Sequence, residues 1–220
     1  MALLGLLLPS RCAGCDAPGP PLCGDCSARL IRIAPPVCER CGCPGAWPVR
    51  RCVECAGRRL AFARARGAVV YDDRSRPLVS AWKERGRRDL TAPLAELVTR
   101  VVLRPDVEAL TFVPGDRERG RVRGHVPAQR LAEALGDRWR LPVTRLLVRT
   151  TSSRRQTGLP RAERRTNVRG VFAAATRAPP SVAIVDDVYT TGATVSACAT
   201  VLRRAGARRV EVVCLARAVR

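Results

Sequence analysis

Aromatic residues, histidine and long apolar stretches are all scarce in this chain of 220 residues. Phe, Trp and Tyr together make up 4% of it, so a platform of aromatic rings for stacking nucleic-acid bases is not visible. The single histidine, His125, stands in a loop without an obvious partner, and we do not assign it as a catalytic base. No low-complexity linker interrupts the chain, which is long enough for one ordinary domain with a smaller appendage.

A convincing secretory signal and a membrane span are also missing from the sequence. The apolar start, MALLGLLL, has no basic residue and leads through Pro9 directly into the first cysteine pair. It is far too short to cross a bilayer, and we expect it to form a short packed N-terminal helix. We therefore predict a cytoplasmic protein, in which cysteines bind metal more often than they form disulfides.

Positive charge is abundant, and it is carried almost entirely by arginine. The formal net charge is +21, and Lys83 is the only lysine among 40 basic residues. Such a charge favours a polyanionic partner such as nucleic acid. A GC-rich genome also enriches arginine, so charge alone leaves nucleic-acid contact open. A long basic amphipathic helix of the kind that binds membrane surfaces is not seen.

Eight of the 11 cysteines form four CxxC pairs near the N-terminus. Two such pairs supply the four thiolates of a tetrahedral, closed zinc site, which is structural rather than catalytic. We favour pairing of neighbours in sequence, giving a first and a second cysteine cluster, although crossed pairing stays open. The first cluster is Cys12, Cys15, Cys23 and Cys26, and the second is Cys38, Cys41, Cys52 and Cys55.

One further cysteine lies inside this segment. Cys43 is interpreted as a spare thiol, the alternative being that it replaces Cys41 as a ligand. Residues 9–60 carry few large apolar side chains, so the segment should not fold without metal. We accordingly divide the chain into an N-terminal helix with a double zinc-ribbon module, residues 1–60, and a second domain, residues 61–220.

The segment VAIVDDVYTTGATV, residues 182–195, carries the strongest functional signal. Its apolar start, residues 182–185, predicts a buried strand of a parallel sheet, and a helix with an apolar face follows the loop. The free N–H groups and the dipole of a helix N-terminus bind anions. The carboxylates of Asp186 and Asp187 suit the hydroxyl donors of a sugar diol. Together these features predict a sugar phosphate as ligand.

Strands alternate with helices through the remainder of the chain. Strands are predicted at 62–71, 110–114, 143–148, 168–173 and 210–215, and helices at 76–85, 91–103 and from Pro127. Alternation of this kind predicts an α/β fold with a parallel sheet and a ligand at the carboxyl ends of its strands. Three loops, 115–124, 149–166 and 186–194, should meet there.

The sequence DDVYTTGAT resembles the phosphoribosyl-pyrophosphate (PRPP) motif of type I phosphoribosyltransferases. The resemblance implies that Asp186 and Asp187 hold the ribose hydroxyls. It also implies a Rossmann-like domain, Mg²⁺ bound with PRPP, and pentosyl transfer to an unidentified acceptor. The residues that it assigns to the 5′-phosphate are Thr190, Thr191, Gly192, Ala193 and Thr194.

Arginines in the two other loops could serve the same site. Those of the 115–124 loop could clamp pyrophosphate oxygens, and those of the 149–166 loop could close over a reacting sugar. The first group is Arg117, Arg119 and Arg123. The second group is Arg154, Arg155, Arg161, Arg164 and Arg165.

Nearly the whole chain resembles the ComF family, in which a zinc-ribbon module is fused to a phosphoribosyltransferase-type domain. The resemblance rests on the CxxC pairs and on the following positions: Leu78, Trp82, Lys83, Gly86, Val113, Pro114, Gln156, Leu159, Arg164, Asn167, Arg169, Gly170 and Phe172. Some members of this family serve natural transformation. The alternative function is therefore the handling of single-stranded DNA by the zinc module and the arginine surface, with a sensory or non-catalytic PRPP site.

The chain departs from the family pattern at one turn and lacks a recognisable base-selecting hood. Many members carry Arg-Gly-Phe-Asn-Gln where residues 123–127 read Arg-Gly-His-Val-Pro, which removes two amides. The zinc module is a candidate to cover the site in place of a hood. Oligomeric state and acceptor are left open.

Overall fold

The computed structural model describes residues 10–115, 125–150 and 170–219. A four-stranded parallel sheet in the order β1-β6-β5-β2 is the centre of the fold. In chain order the elements are α1 (Gly24–Arg29), β1 (Arg64–Val70), α2 (Arg76–Lys83), α3 (Thr91–Val101), β2 (Ala109–Phe112), α4 (Pro127–Trp139), β3 (Leu147–Arg149), β4 (Phe172–Ala174), β5 (Ser181–Tyr189), α5 (Ala193–Arg204) and β6 (Arg209–Arg217). The predicted fold class, a parallel α/β sheet preceded by zinc-binding cysteine clusters, is confirmed.

The two central strands are apolar on both faces because helices and loops cover the sheet from both sides. Residues Ala183 and Val185 of β5 enter one hydrophobic core, and their neighbours Val182 and Ile184 enter the other. On the first face lie α2, α3 and α4, with Trp82 fully buried among them. On the second face lie α5, the β3–β4 pair and the second cysteine cluster.

Strands β3 and β4 differ from the expected alternating pattern. They pair with each other, antiparallel, and form a separate two-stranded sheet packed against α5. The predicted strand at 143–148 begins later, at Leu147, and Val143 itself makes only a single parallel bridge to Leu110. Both strands are three residues long, so their sequence carries too little periodicity to show which partner they take.

The cysteine-rich segment covers the free edge of β1. The N–H of Ile33 donates to the carbonyl of Ala68 (2.9 Å), and the N–H of Val70 donates to the carbonyl of Ile31 (2.8 Å). These bonds satisfy backbone groups that an edge strand otherwise exposes to other chains. Among the helices of the described ranges, none combines the length and apolar character needed to cross a membrane.

A close approach between Gly42 and β1 fixes the second cysteine cluster on the sheet. Gly42 has φ +67°, and a Cβ atom there would lie 2.4 Å from the carbonyl oxygen of Ala65. Only glycine combines this left-handed conformation with so short a distance to another backbone. The second cysteine cluster can therefore pack against β1 only because residue 42 is a glycine.

We predict that Gly42→Ala destabilises the fold more than Gly57→Ala does. Gly57 has nearly the same φ (+69°) but open space where its Cβ would lie, so it isolates the backbone strain of roughly 1–2 kcal/mol. The clash at Gly42 should add about 1–3 kcal/mol. Urea unfolding of both variants measures the difference, and equal losses in the free energy of unfolding would show that the contact with Ala65 is unimportant.

Candidate functional site

A cavity of about 560 Å³ opens at the carboxyl ends of β2 and β5. Strand β2 pairs with β5 only as far as Phe112 and Val185, and β5 continues to Tyr189 with β6 as its neighbour. The space above the end of β2 is therefore left open beside the last residues of β5. Both predicted acids, Asp186 and Asp187, line this space.

The acid pair interrupts the regular alternation of β5. Before the pair, odd-numbered residues face the first core; after it, Val188 packs against the first core and Tyr189 belongs to the second. This reversal brings two consecutive carboxyl groups to one cavity. Their oxygens also accept backbone hydrogen bonds: the N–H of Asp187 donates to Asp186 Oδ1 (2.9 Å), and the N–H of Val188 donates to Asp187 Oδ1 (2.7 Å).

The only lysine of the chain forms an ion pair with the second acid. Lys83 Nζ lies 2.7 Å from Asp187 Oδ2, and the Asp187 side chain is 11% exposed. Lys83 ends helix α2, where the buried Trp82 anchors the backbone through an indole N–H bond to Thr91 Oγ1 (3.1 Å). Lys83 is one of the positions that carry the family resemblance, but the sequence alone assigns it no role. That it is the only lysine among 40 basic residues could have pointed to a specific function.

The two acids have different electrostatic surroundings. Burial raises the pKa of Asp186 to about 8, repulsion from Asp187 acts in the same direction, and attraction by Lys83 opposes both. This shift favours a proton on Asp186, while Asp187 is paired with a cation. A protonated carboxyl group can donate a hydrogen bond to a hydroxyl and a carboxylate can accept one, so the pair can make either kind of bond to a diol.

The loop after β5 turns sharply into α5. Gly192 has φ +72° and forms the N-cap of α5, and a Cβ there would lie 2.3 Å from Tyr189 Oη. The N–H of Ala193 donates to Thr191 Oγ1 (3.3 Å). Thr190 and Thr194 are exposed and line the cavity. The first turn of a twelve-residue helix thus begins beside the acid pair, as the motif predicted.

A cation that the sequence did not single out also reaches this cavity. Arg149, the last residue of β3, lines it with its guanidinium 5.8 Å from the centroid of the Phe172 ring. Its Nε is buried and finds no acceptor within the described structure. A buried donor without an acceptor is costly, so an acceptor group that enters the cavity would be stabilised there. Its position followed only from the β3–β4 pairing, which no sequence pattern revealed.

His125 has a definite place in the structure. It is buried, and its Nε2 lies 3.1 Å from the carbonyl oxygen of Trp82, next to Lys83. The ring supports the end of α2 at the cavity wall. The expectation that this histidine is incidental missed this contact because Trp82 is distant in sequence.

All eight predicted loop arginines fall outside the described residues. Residues 116–124 and 151–169 are not described, so the roles assigned to these side chains stay predictions. They are Arg117, Arg119, Arg123, Arg154, Arg155, Arg161, Arg164 and Arg165.

The eight paired cysteines assemble into the two clusters favoured from sequence. In each cluster the four sulfur atoms lie within 4.8 Å of one another. The closest Sγ–Sγ distances are 3.8 Å between Cys15 and Cys23 and 3.5 Å between Cys41 and Cys52. Four thiolates about 2.3 Å from a tetrahedral zinc ion lie about 3.8 Å apart. Both clusters therefore fit a structural zinc ion.

Backbone N–H groups prepare one thiol of each cluster to ionise. Cys12 Sγ accepts from Gly14 and Cys23, each at 3.4 Å, and Cys38 Sγ accepts from the N–H of Cys52 at 3.3 Å. Burial opposes ionisation, but the backbone hydrogen bonds outweigh it and lower the pKa of Cys12 to about 6 and of Cys38 to about 7. Burial raises the pKa of Cys26 and Cys41 to about 12, so Cys12 and Cys38 are the thiols of their clusters that ionise more readily for a metal ion.

Cys43 stays outside the second cluster. Its Sγ lies 3.3 Å from Glu54 Oε1, and burial raises the pKa of its thiol to about 12. A protonated, buried thiol packs as a small apolar group rather than binding metal. The interpretation of Cys43 as a spare thiol therefore agrees with its place in the fold.

Comparison with known proteins identifies the N-terminal segment and relates the chain as a whole to known relatives. The double zinc ribbon domain family matches residues 3–58. A protein of Salmonella typhimurium strain LT2, named DNA utilization protein YhgH, is 30% identical over 208 residues, covering 89% of this chain and 90% of that protein. This chain belongs to the ComF family. The YhgH protein of Escherichia coli strain K12 is 28% identical over the same length, with the same coverage.

One solved structure was matched more loosely than these ComF relatives. Its title is "Structure of the allosteric regulatory enzyme of purine biosynthesis", and the match has a TM-score of 0.38 and 24% identity. It spans 58% of this chain and only 25% of that chain, which is too loose to bear on function.

We predict that the purified ComF protein holds two zinc ions per chain, one in each cluster. Cys41→Ser should lower the content to about one, because it removes one of four ligands. Cys43→Ser is the matched control and should retain both ions. Elemental analysis of the variants measures the ratio; retention of zinc by Cys41→Ser together with loss in Cys43→Ser would reverse the assignment.

Proposed function

We propose that this ComF protein binds PRPP in the cavity beside Asp186 and Asp187 and belongs functionally to the phosphoribosyltransferases. The observation that carries the proposal is the meeting of two acids, a helix N-terminus and cations in one space of about 560 Å³. The acids would hold the ribose hydroxyls. The N–H groups of the loop at residues 190–194 would hold the 5′-phosphate.

Cations on the cavity wall suit the pyrophosphate at C1 of the sugar. Lys83 ends α2 on one side, and Arg149, with its unsatisfied Nε, ends β3 on another. Pyrophosphate arriving at the site would compete with Asp187 for Lys83. The ion pair between Lys83 and Asp187 could therefore be replaced by one between Lys83 and the pyrophosphate oxygens.

Magnesium is the metal that such a ligand requires. Mg²⁺ binds phosphate oxygens together with one or two carboxylates, and the carboxyl groups that line the cavity are those of Asp186, Asp187 and Glu84. When bound with PRPP it would neutralise charge on the pyrophosphate. The residues of the chain would do the positioning: the acids and the loop fix the sugar so that C1 faces an acceptor while pyrophosphate departs.

We predict that PRPP binds in the presence of Mg²⁺ and that the variant Asp186→Asn with Asp187→Asn loses most of this affinity. A hydrogen bond to a neutral group contributes about 0.5–1.5 kcal/mol and one to a charged group about 1.5–3 kcal/mol, so losing one of each should weaken binding about thirtyfold or more. Calorimetry measures it. The matched control is Asp106→Asn with Asp137→Asn, which makes the same charge change at two exposed positions. Equal affinities in the two double variants would refute the site.

A second candidate function, the binding of single-stranded DNA, is favoured by a groove on another part of the surface. The groove has a volume of about 770 Å³ and begins at the amino ends of β1 and β6, away from the acid pair. It is lined by Arg40, Arg50, Arg51, Arg64, Arg66 and Arg209. An adjoining cavity that shares Arg40 adds Arg203 and Arg204.

Crowding of like charges supports this groove as a site for anions, and within the described residues only Arg64 and Arg209 of its six arginines are paired to an acid, Glu211. Burial lowers the pKa of Arg40, and repulsion from Arg51 and Arg203 lowers it further. Phosphates of a nucleic-acid backbone would relieve this repulsion and release counterions. The names of the ComF relatives, which refer to DNA utilization, support the same candidate.

We predict that a single-stranded oligonucleotide binds with an affinity that falls steeply with salt. Arg50→Gln with Arg203→Gln should reduce the slope of log K against log salt by about 0.7 for each phosphate that is no longer neutralised. Arg130→Gln with Arg138→Gln, which removes two arginines from α4, is the control. Fluorescence anisotropy over a salt series provides the slopes, and a flat salt dependence of the unaltered protein argues against this function.

A further inference from the structure

The segment that leaves the second cysteine cluster makes hydrogen bonds to the loop that follows β5. Arg58, three residues after the ligand Cys55, donates a hydrogen bond from Nη2 to the carbonyl oxygen of Thr191. The N–H of Ala61 donates to Ser196 Oγ in the first turn of α5 (3.1 Å). The chain leaving the cluster is thus bonded to both the loop and the start of its helix.

The bond from Arg58 sets the direction of one peptide group. The peptide joining Thr191 and Gly192 is trans, so its N–H points away from its carbonyl. With the carbonyl held on the side of Arg58, the N–H of Gly192 points to the opposite side of the loop. A cation on the carbonyl also polarises the peptide and strengthens its N–H as a donor to an anion.

A second arginine connects the second cysteine cluster to the same loop through Tyr189. Arg217 is 1% exposed; its Nε donates to the carbonyl of Cys41 (2.9 Å), and its Nη2 donates to Glu54 Oε2 (2.9 Å). Its guanidinium carbon lies 5.2 Å from the ring centroid of Tyr189. The hydroxyl of that tyrosine lies directly against Gly192. The cluster therefore reaches the loop along two routes.

The first cysteine cluster makes its contacts elsewhere. Arg87 Nη2 donates to the carbonyl of Arg11 (2.7 Å), and Leu30 packs into the core on the α2 side of the sheet. The two clusters are alike in ligands but differ in what they touch, so they serve as controls for each other.

We propose that the second cysteine cluster, with its metal, positions the phosphate-binding loop, and that Arg58 is the positioning residue that transmits this. The inference rests on the proposed ribose-phosphate site and adds a role for the zinc ribbon in it. Metal at the cluster holds Cys41 and Cys55, and these hold Arg217 and Arg58 against the loop. Ligand affinity then depends on metal at a centre that does not itself touch the ligand.

The experiment compares Arg58→Ala with Arg59→Ala, a neighbouring exposed arginine. Ribose 5-phosphate is the probe, because it lacks pyrophosphate and reports on the loop and the acids. Arg58→Ala should weaken its binding about tenfold, the effect of losing one charge-assisted hydrogen bond, and Arg59→Ala should not. Arg58→Lys should restore part of the affinity, since lysine keeps one charged donor.

Amide hydrogen exchange at residues 191–195 provides a readout that does not need a ligand. Exchange there should accelerate in Arg58→Ala while the melting temperature stays close to that of Arg59→Ala. Cys52→Ser, which breaks the second cluster, should reproduce the faster exchange and weaker binding. Cys15→Ser, which breaks the first cluster, should leave both unchanged. If Arg58→Ala does not fold, the comparison of Arg58→Lys with Arg59→Lys replaces it.

Each result decides the proposal. Equal binding and equal exchange in Arg58→Ala and Arg59→Ala would overturn it, and so would equal effects of Cys15→Ser and Cys52→Ser on the loop. If the unaltered protein binds no ribose 5-phosphate, the PRPP proposal fails. The exchange data would still show whether the cluster controls the loop, so the two failures are distinguishable.

Discussion

The parallel pairing of β5 with neighbours on both sides is the constraint on which the site depends. Because β2 pairs with the strand as far as Val185 and β6 as far as Tyr189, the acids near its carboxyl end are held on a rigid element. Strand β5 extends beyond the end of β2, and this leaves space for the cavity. After the strand the chain turns at Gly192 into α5, whose N-terminus faces the same space. A ligand site at this edge follows from topology before any side chain is considered.

We expect metal binding to supplement the hydrophobic core in the N-terminal segment. The cysteines of the second cluster are themselves part of the apolar cluster on the α5 face, together with Phe62 and Tyr189. Zinc there would stabilise the fold of the segment itself. It would also hold in place the residues that cover the edge of β1 and those that contact the loop after β5. If the proposed ribose-phosphate site exists, this arrangement gives a physical reason for joining it to a zinc ribbon in one chain.

Features encoded in a contiguous stretch could be predicted from the sequence. The acid pair, the loop at 190–194 and the CxxC pairs all depend on residues close in sequence, and the double-ribbon assignment is confirmed by the family match. The roles of Lys83, Arg149 and Arg58 depend on contacts between distant segments, and no periodicity encodes those. Strands β3 and β4 were too short to reveal their antiparallel pairing. The division of the chain at residue 60 stays a prediction.

The most direct measurement is a crystal structure of the full chain grown with ribose 5-phosphate. The account predicts phosphate oxygens at about 2.7–3.2 Å from backbone N–H groups of the loop at residues 191–194. It also predicts sugar hydroxyls on Asp186 and Asp187, with Lys83 released from its partner or shared with the ligand. A sugar phosphate bound among the groove arginines, with the loop and both acids free of it, would contradict the account.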